Sequence, residues 1–169
     1  MTKKNGFTLV ELIVVILILG IMSSYSASRY LGKSSFSAYT YQEAAVSVIR
    51  QVQVNRMQSN LHDESGDLTP FILSVKDQCL GSLYSCVQND PNITQRSDLI
   101  VIDSGSFSAR EMCPTNSAVD SVSFDLLGNP ALDTNQPDPK VQITIDDGEV
   151  VAFLCINSQG YVSKGECLC

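Results

Sequence analysis

Hydrophobic positions along this chain change their period twice, and the changes divide it into three parts. From Phe7 to Met22 the residues read F-T-L-V-E-L-I-V-V-I-L-I-L-G-I-M, with only Thr8 and Glu11 resisting hydrocarbon. A segment apolar on every side predicts a membrane-spanning helix rather than a surface one. Beyond it, Tyr41, Ala45, Val48 and Val52 recur at spacings of four, three and four, one stripe of an amphipathic helix. Glu43, Arg50, Gln53 and Arg56 are expected on its other faces. No proline falls between residues 28 and 61, so the helix is expected to continue from Phe7 to about residue 60, roughly 80 Å at 1.5 Å per residue. Gly32 and the serines around Phe36 are its weak points. The polar run H-D-E-S-G-D at residues 62–67, with Gly66, and then Pro70 end it.

The remainder reads as strands. Residues 71–75 (F-I-L-S-V) and 98–103 (D-L-I-V-I-D) are short apolar runs, the second expected to be buried on nearly both faces. Residues 104–117, with Gly105, Cys113 and Pro114, are expected to be irregular. Val122, Phe124 and Leu126 alternate with polar residues, as do Val141, Ile143 and Ile145, the period of half-buried strands. Asp147-Gly148 signals a tight hairpin, 149–155 its returning strand, 157–160 a further turn and 161–163 a last strand. The prediction is an α+β protein, a long N-terminal helix on a small antiparallel meander.

Glu11 is the feature that this pattern leaves unexplained. A carboxylate within such a run costs roughly 2.5–3.5 kcal/mol on insertion scales, which marks it as a functional group with a partner to find. A secretory signal peptide would have a shorter apolar core and a small-residue cleavage site at its far end, for which only residues 26–28 offer anything. A plain anchor accounts for Lys3 and Lys4 on the cytoplasmic side but gives Glu11 no purpose.

Composition narrows the rest. The 169-residue chain carries a formal charge of -7, and such a surface argues against nucleic-acid binding. All six cysteines, Cys79, Cys86, Cys113, Cys155, Cys167 and Cys169, follow the membrane segment. An even number in a small exported domain reads as a disulfide framework. Cys167 and Cys169 stand two apart, so in a strand their side chains lie about 6–7 Å apart, too far to pair. Cys79 and Cys86 are expected to close a local loop. Cys113 and Cys155 then pair with Cys167 and Cys169 in one order or the other, the alternative being thiols left for bonds between subunits or for metal.

The combination K-K-x-G-F-T-L-V-E-L resembles the amino terminus of type IV prepilins and secretion-system pseudopilins. That resemblance implies a leader, residues 1–6, cleaved by a prepilin peptidase between Gly6 and Phe7, with Phe7 then N-methylated. It implies a transmembrane and assembly helix at 7–27, an amphipathic continuation at 28–61 and a periplasmic or extracellular β-rich head at 62–169. Glu11 becomes the fifth mature residue, whose carboxylate answers the terminal amine of a neighbouring subunit. Many major pilins have a helix-breaking proline where Ser28 stands here. Residues 124–130 and 156–162 resemble the carboxy-terminal sheet of minor pilins and minor pseudopilins. The runs at 28–37 and 49–53 resemble the minor pilins of mannose-sensitive haemagglutinin (MSHA) pili.

The function so implied is a non-enzymatic minor pilin acting in pilus initiation or at the tip. It would be held in the inner membrane with its amino terminus cytoplasmic and head periplasmic, then displayed on the pilus at the cell surface. Its partners would be major and minor pilins, the peptidase and the assembly platform, with no cofactor. The competing readings are a tip adhesin, which an exposed apolar or aromatic patch on the head would favour, and a pseudopilin of a type II secretion system. Enzyme chemistry lacks a constellation: there is no phosphate-binding Gly-rich loop, nucleophile elbow or H-E-x-x-H. His62, the only histidine, reads as a solvated residue at a helix end. Asp138, Asp146, Asp147 and Glu149 have the oxygen ligands calcium takes, but read as a solvated hairpin edge, and no metal site is expected. Asn92-Ile93-Thr94 matches a glycosylation acceptor that a bacterial chain would not use.

Overall fold

The computed structural model describes residues 8–31, 37–59, 67–87, 97–113, 116–132 and 138–169. They form two compact units, one up to Phe36 and one from Ser37 onward. The first unit is helix α1, Leu9–Leu31. Every side chain from Leu9 to Ser26 is exposed, and this stretch is long and apolar enough to cross a membrane. Whether the helix continues unbroken into the second unit is a question about residues 32–36, outside the described residues.

The second unit is α+β. Helix α2, Ser37–Gln58, packs against two antiparallel sheets. One sheet has the order β3-β2-β1-β6, from β1 (Leu73–Lys76), β2 (Cys79–Ser82), β3 (Leu99–Val101) and β6 (Ser121–Val122). The short helix α3, Leu83–Val87, follows β2. The other sheet has the order β5-β4-β7-β8-β9, from β4 (Ser106–Met112), β5 (Asn116–Val119), β7 (Lys140–Asp146), β8 (Val151–Ile156) and β9 (Val162–Lys164). Within it β7, β8 and β9 form the expected meander.

Alternation decides which faces are buried. Val141, Ile143 and Ile145 of β7 are wholly buried while Gln142 and Thr144 are half-exposed, and Leu154 and Ile156 of β8 join them. Ala45, Val48, Ile49 and Val52 of α2 close over this face, and Leu73, Val75, Leu80 and Ile102 extend the same core into the other sheet. At roughly 1.5–3 kcal/mol for each fully buried aliphatic side chain, this shared core is the main stabilising contribution of the unit.

The structure corrects the sequence reading at three places. Residues 104–117, expected to be irregular, hold β4, which pairs with β7 along its whole length, and the start of β5. Phe107 and Ala109 do alternate with Ser106, Ser108 and Arg110, but serine and alanine carry too little contrast for the period to show. Leu126 lies in a turn and is exposed, because the strand ends at Val122 and only an isolated bridge joins Phe124 to Pro130. Gln53 and Arg56, assigned to the outer face of α2, are buried, whereas Glu43 and Arg50 are exposed as expected.

Burial of Gln53 and Arg56 is offset by hydrogen bonds to backbone carbonyls, as a buried polar group requires. The Gln53 amide donates to Gly128 O (3.0 Å) and Gly160 O (2.8 Å). Arg56 Nε donates to Phe124 O (3.1 Å). One side chain of α2 thus ties together the turns at 125–129 and 157–161. Their approach requires glycine: Gly160 sits at φ 78°, and a Cβ there would lie 2.2 Å from Gly128 O.

The six cysteines form three bridges, Cys79–Cys86, Cys113–Cys169 and Cys155–Cys167. Of the two orders left open at the carboxy terminus, Cys113 takes Cys169 and Cys155 takes Cys167. The last two bridges are nested, joining the residue after β4 and the end of β8 to the terminus.

Candidate functional site

Thr8 and Glu11 build the first turn of α1. The Thr8 hydroxyl accepts the Glu11 N–H (3.3 Å), and the Glu11 carboxylate accepts both the Thr8 N–H (3.0 Å) and the Thr8 O–H (2.8 Å). This reciprocal arrangement is a capping box, in which a threonine and a glutamate three residues on satisfy the donors a helix start leaves unpaired. A carboxylate in the first turn also faces the positive end of the helix dipole. Glu11 is therefore not a bare charge on an apolar rod. Sequence reasoning singled out Glu11 but passed over Thr8, although the T-x-x-E spacing ahead of an apolar run is the signature of such a box. Gly6 and Phe7, the expected processing residues, lie outside the described residues.

Further along α1 the polar side chains are small. Ser23 Oγ donates to Leu19 O (2.6 Å), which satisfies its hydroxyl within the helix. Tyr25 is exposed near the end of the span, where an aromatic ring with a polar tip suits a membrane–water interface.

At the beginning of the second unit, Asp147 of the β7–β8 hairpin clasps the first turn of α2. Its carboxylate accepts the Ser37 hydroxyl and the Ala38 N–H, together with the Val150 N–H (2.8 Å) and the Glu149 N–H (3.0 Å). The Ser37 hydrogen bond foremost, then those from Val150 and Glu149, hold its pKa down to about 2. Two other members of the acidic group considered for calcium, Asp138 and Asp146, are engaged separately. Asp138 pairs with Lys140 (2.9 Å) and accepts the Ser158 hydroxyl (3.3 Å), and Asp146 accepts the Gly148 N–H (2.8 Å). Among the described residues no three carboxylate, histidine or cysteine side chains are arranged to hold a metal ion.

One buried group has the residue types of a nucleophilic site. Ser82, Ser85 and the Asp98 carboxylate lie within 2.7–3.2 Å of one another. Ser82 Oγ also accepts the Ser85 N–H (3.3 Å), which makes it the cap of α3. Both serines are buried. The cluster fixes the start of α3 to Asp98, the residue before β3.

Residues 1–26 match the family model described as the prokaryotic N-terminal methylation motif. No curated protein and no solved structure matches the chain. The motif supports a type IV pilin-like or pseudopilin protein, a class whose members are structural rather than enzymatic. Together with the exposed apolar helix it is consistent with membrane anchoring. The same class suggests other pilin subunits and a prepilin peptidase as partners.

Proposed function

We propose that this chain is a minor pilin, a structural subunit taken into a type IV pilus at its initiation or at its tip. The observation that carries the reading is the methylation motif over residues 1–26, which takes in the apolar span Leu9–Ser26 with its one carboxylate, Glu11, in the first turn. In this reading residues 1–6 are a leader removed between Gly6 and Phe7, and Phe7 is N-methylated. Residues 7–27 are the membrane and assembly helix, 28–61 its amphipathic continuation and 62–169 the head. Lys3 and Lys4 hold the amino terminus in the cytoplasm, so the head faces the periplasm, where its disulfides form, and later the cell surface. Before assembly Thr8 supplies the donors for the Glu11 carboxylate; on assembly the terminal amine of a neighbouring subunit takes over that role. The narrower MSHA-like identity rests on residues 28–37 and 49–53 and belongs to the same proposal.

Mass spectrometry of the chain purified from a piliated cell tests the reading: its mature terminus is expected at N-methyl-Phe7. A terminus near Ser28 would remove it. Immunogold labelling then separates positions, with label at fibre ends expected for a tip subunit.

A second reading, a head that binds a ligand, is favoured by the two turns tied by Gln53. They present Leu126, Leu127 and Tyr161 to solvent, with Leu127 75% and Tyr161 63% exposed. Replacing Leu127 and Tyr161 by serine would abolish adhesion while leaving assembly intact if these side chains form the contact.

A further inference from the structure

Four sheet edges are exposed to different degrees, and among the described residues β5 is the most open. β3 is buried or half-buried along its length, and β6 is two residues long with Val122 buried. β9 ends in Lys164, whose ammonium pairs with Glu43 of α2. By contrast β5, N-S-A-V, is exposed at Asn116, Ser117 and Ala118 and half-buried only at Val119. It contains no charge and no proline, the devices by which edge strands avoid pairing with other chains.

The backbone groups that face outward follow from β4. The Phe107 N–H donates to Asp77 O (2.6 Å), on the side of β4 opposite its partner β7. Along an antiparallel strand the two backbone groups of each residue point to one side, alternating from residue to residue. Ala109 and Glu111, in phase with Phe107, therefore bond toward Val119 and Ser117, the residues opposite them on β5. Asn116 and Ala118 are left with N–H and C=O directed away from the sheet. The strand is also held in place. Cys113, just after β4, is bridged to Cys169, and Asp120, just after β5, accepts the Val75 N–H (2.9 Å).

We propose that β5 is an interaction edge that takes an extended, neutral-to-basic segment of another protein by strand addition. Charge identifies the occupant. Residues 37–169 contain seven Lys and Arg against seventeen Asp and Glu, a formal -10, so two heads set edge to edge would repel. The carboxylate of Asp120, 75% exposed and 3.7 Å from Lys76, stands at the end of the edge as a counter-charge for a basic residue on the incoming strand. The inference does not depend on the pilin reading.

The test uses the full chain, isotopically labelled in detergent micelles, titrated with the blocked hexapeptide K-T-V-T-I-K and followed by amide chemical shifts. Shifts centred on Asn116 and Ala118 are expected, with affinity reduced at least about tenfold by Ala118→Pro. That substitution removes an outward N–H and none of the β4 ladder, which is where an edge strand tolerates proline. Should it impair folding, Ala118→Lys opposes the cationic peptide with the backbone intact, and the same loss is expected. Shifts elsewhere, no shifts at millimolar peptide, or equal binding by either folded variant would overturn the proposal. Self-association of the wild-type chain that Ala118→Pro abolishes would overturn the stated occupant.

Discussion

The three bridges close loops of different size, and their removal should therefore cost different amounts. In the chain-entropy account a disulfide stabilises by restricting the unfolded chain, by an amount that grows with the logarithm of the loop it closes. Cys113–Cys169 has a sequence separation of 56, Cys155–Cys167 of 12 and Cys79–Cys86 of 7. At 25 °C these correspond to about 4, 3 and 2.5 kcal/mol. The nesting alters this little. With Cys155–Cys167 intact, the ring closed by the outer bridge shortens by only the bypassed residues, and the logarithm falls by a few tenths of a kcal/mol. Replacing each pair by serine and measuring urea unfolding by circular dichroism under oxidising conditions should give that order. Removing the outer pair is expected to bring a domain of this size close to unfolding, since native stabilities are themselves only about 5–15 kcal/mol. A Cys79/Cys86 double variant less stable than the Cys113/Cys169 one would refute the reasoning, and so would three indistinguishable variants.

Three further outcomes are expected. Gln53→Leu leaves the carbonyls of Gly128 and Gly160 without that donor, so it should cost about 2–4 kcal/mol, against little for Arg50→Leu on the exposed face, both read from urea midpoints. Asp147, with its folded pKa depressed to about 2, contributes stability that is present above its unfolded value near 3.8 and is lost as pH falls through 2. Thermal unfolding followed from pH 4.5 to 2 should therefore fall more steeply for the wild type than for Asp147→Asn. Thr8→Ala removes one of the two donors that hold the Glu11 carboxylate in the apolar helix, so the membrane fraction of a strain with that sole copy should contain less of the chain by immunoblot, with Thr8→Ser close to wild type.

Much of the architecture is legible in the chain because its signals are local. The apolar run of α1, the alternation of Val141, Ile143 and Ile145, the Asp147-Gly148 turn and the spacing of the cysteines each act over a few residues. What escapes is set by partners far away in sequence. Gln53 is buried because carbonyls 75 and 107 residues downstream accept its amide, and Arg56 because one 68 residues downstream does so. The Asp147 cap of α2 spans 110 residues. Strand β4 was hidden for a different reason: Ser106, Ser108 and Ala109 are too alike in size and polarity to display a period of two. At the candidate site the T-x-x-E box was legible and Thr8 was simply not read as half of it.

The nested bridges also set how the second unit responds to a pull. Tension entering from the chain before Ser37 reaches this unit through the first turn of α2, so the Asp147 clasp bears load before the packed face of the helix does. If the other end of the load is applied at the carboxy terminus, the bridge from Cys113 to Cys169 carries the force directly past the intervening chain. The 56-residue separation it spans holds about 190 Å of contour that cannot be drawn out. Under tension applied between these two points the unit yields by peeling α2 and β1 to β4, which precede Cys113, while β5 to β9 stay inside a closed covalent ring as an inextensible stop.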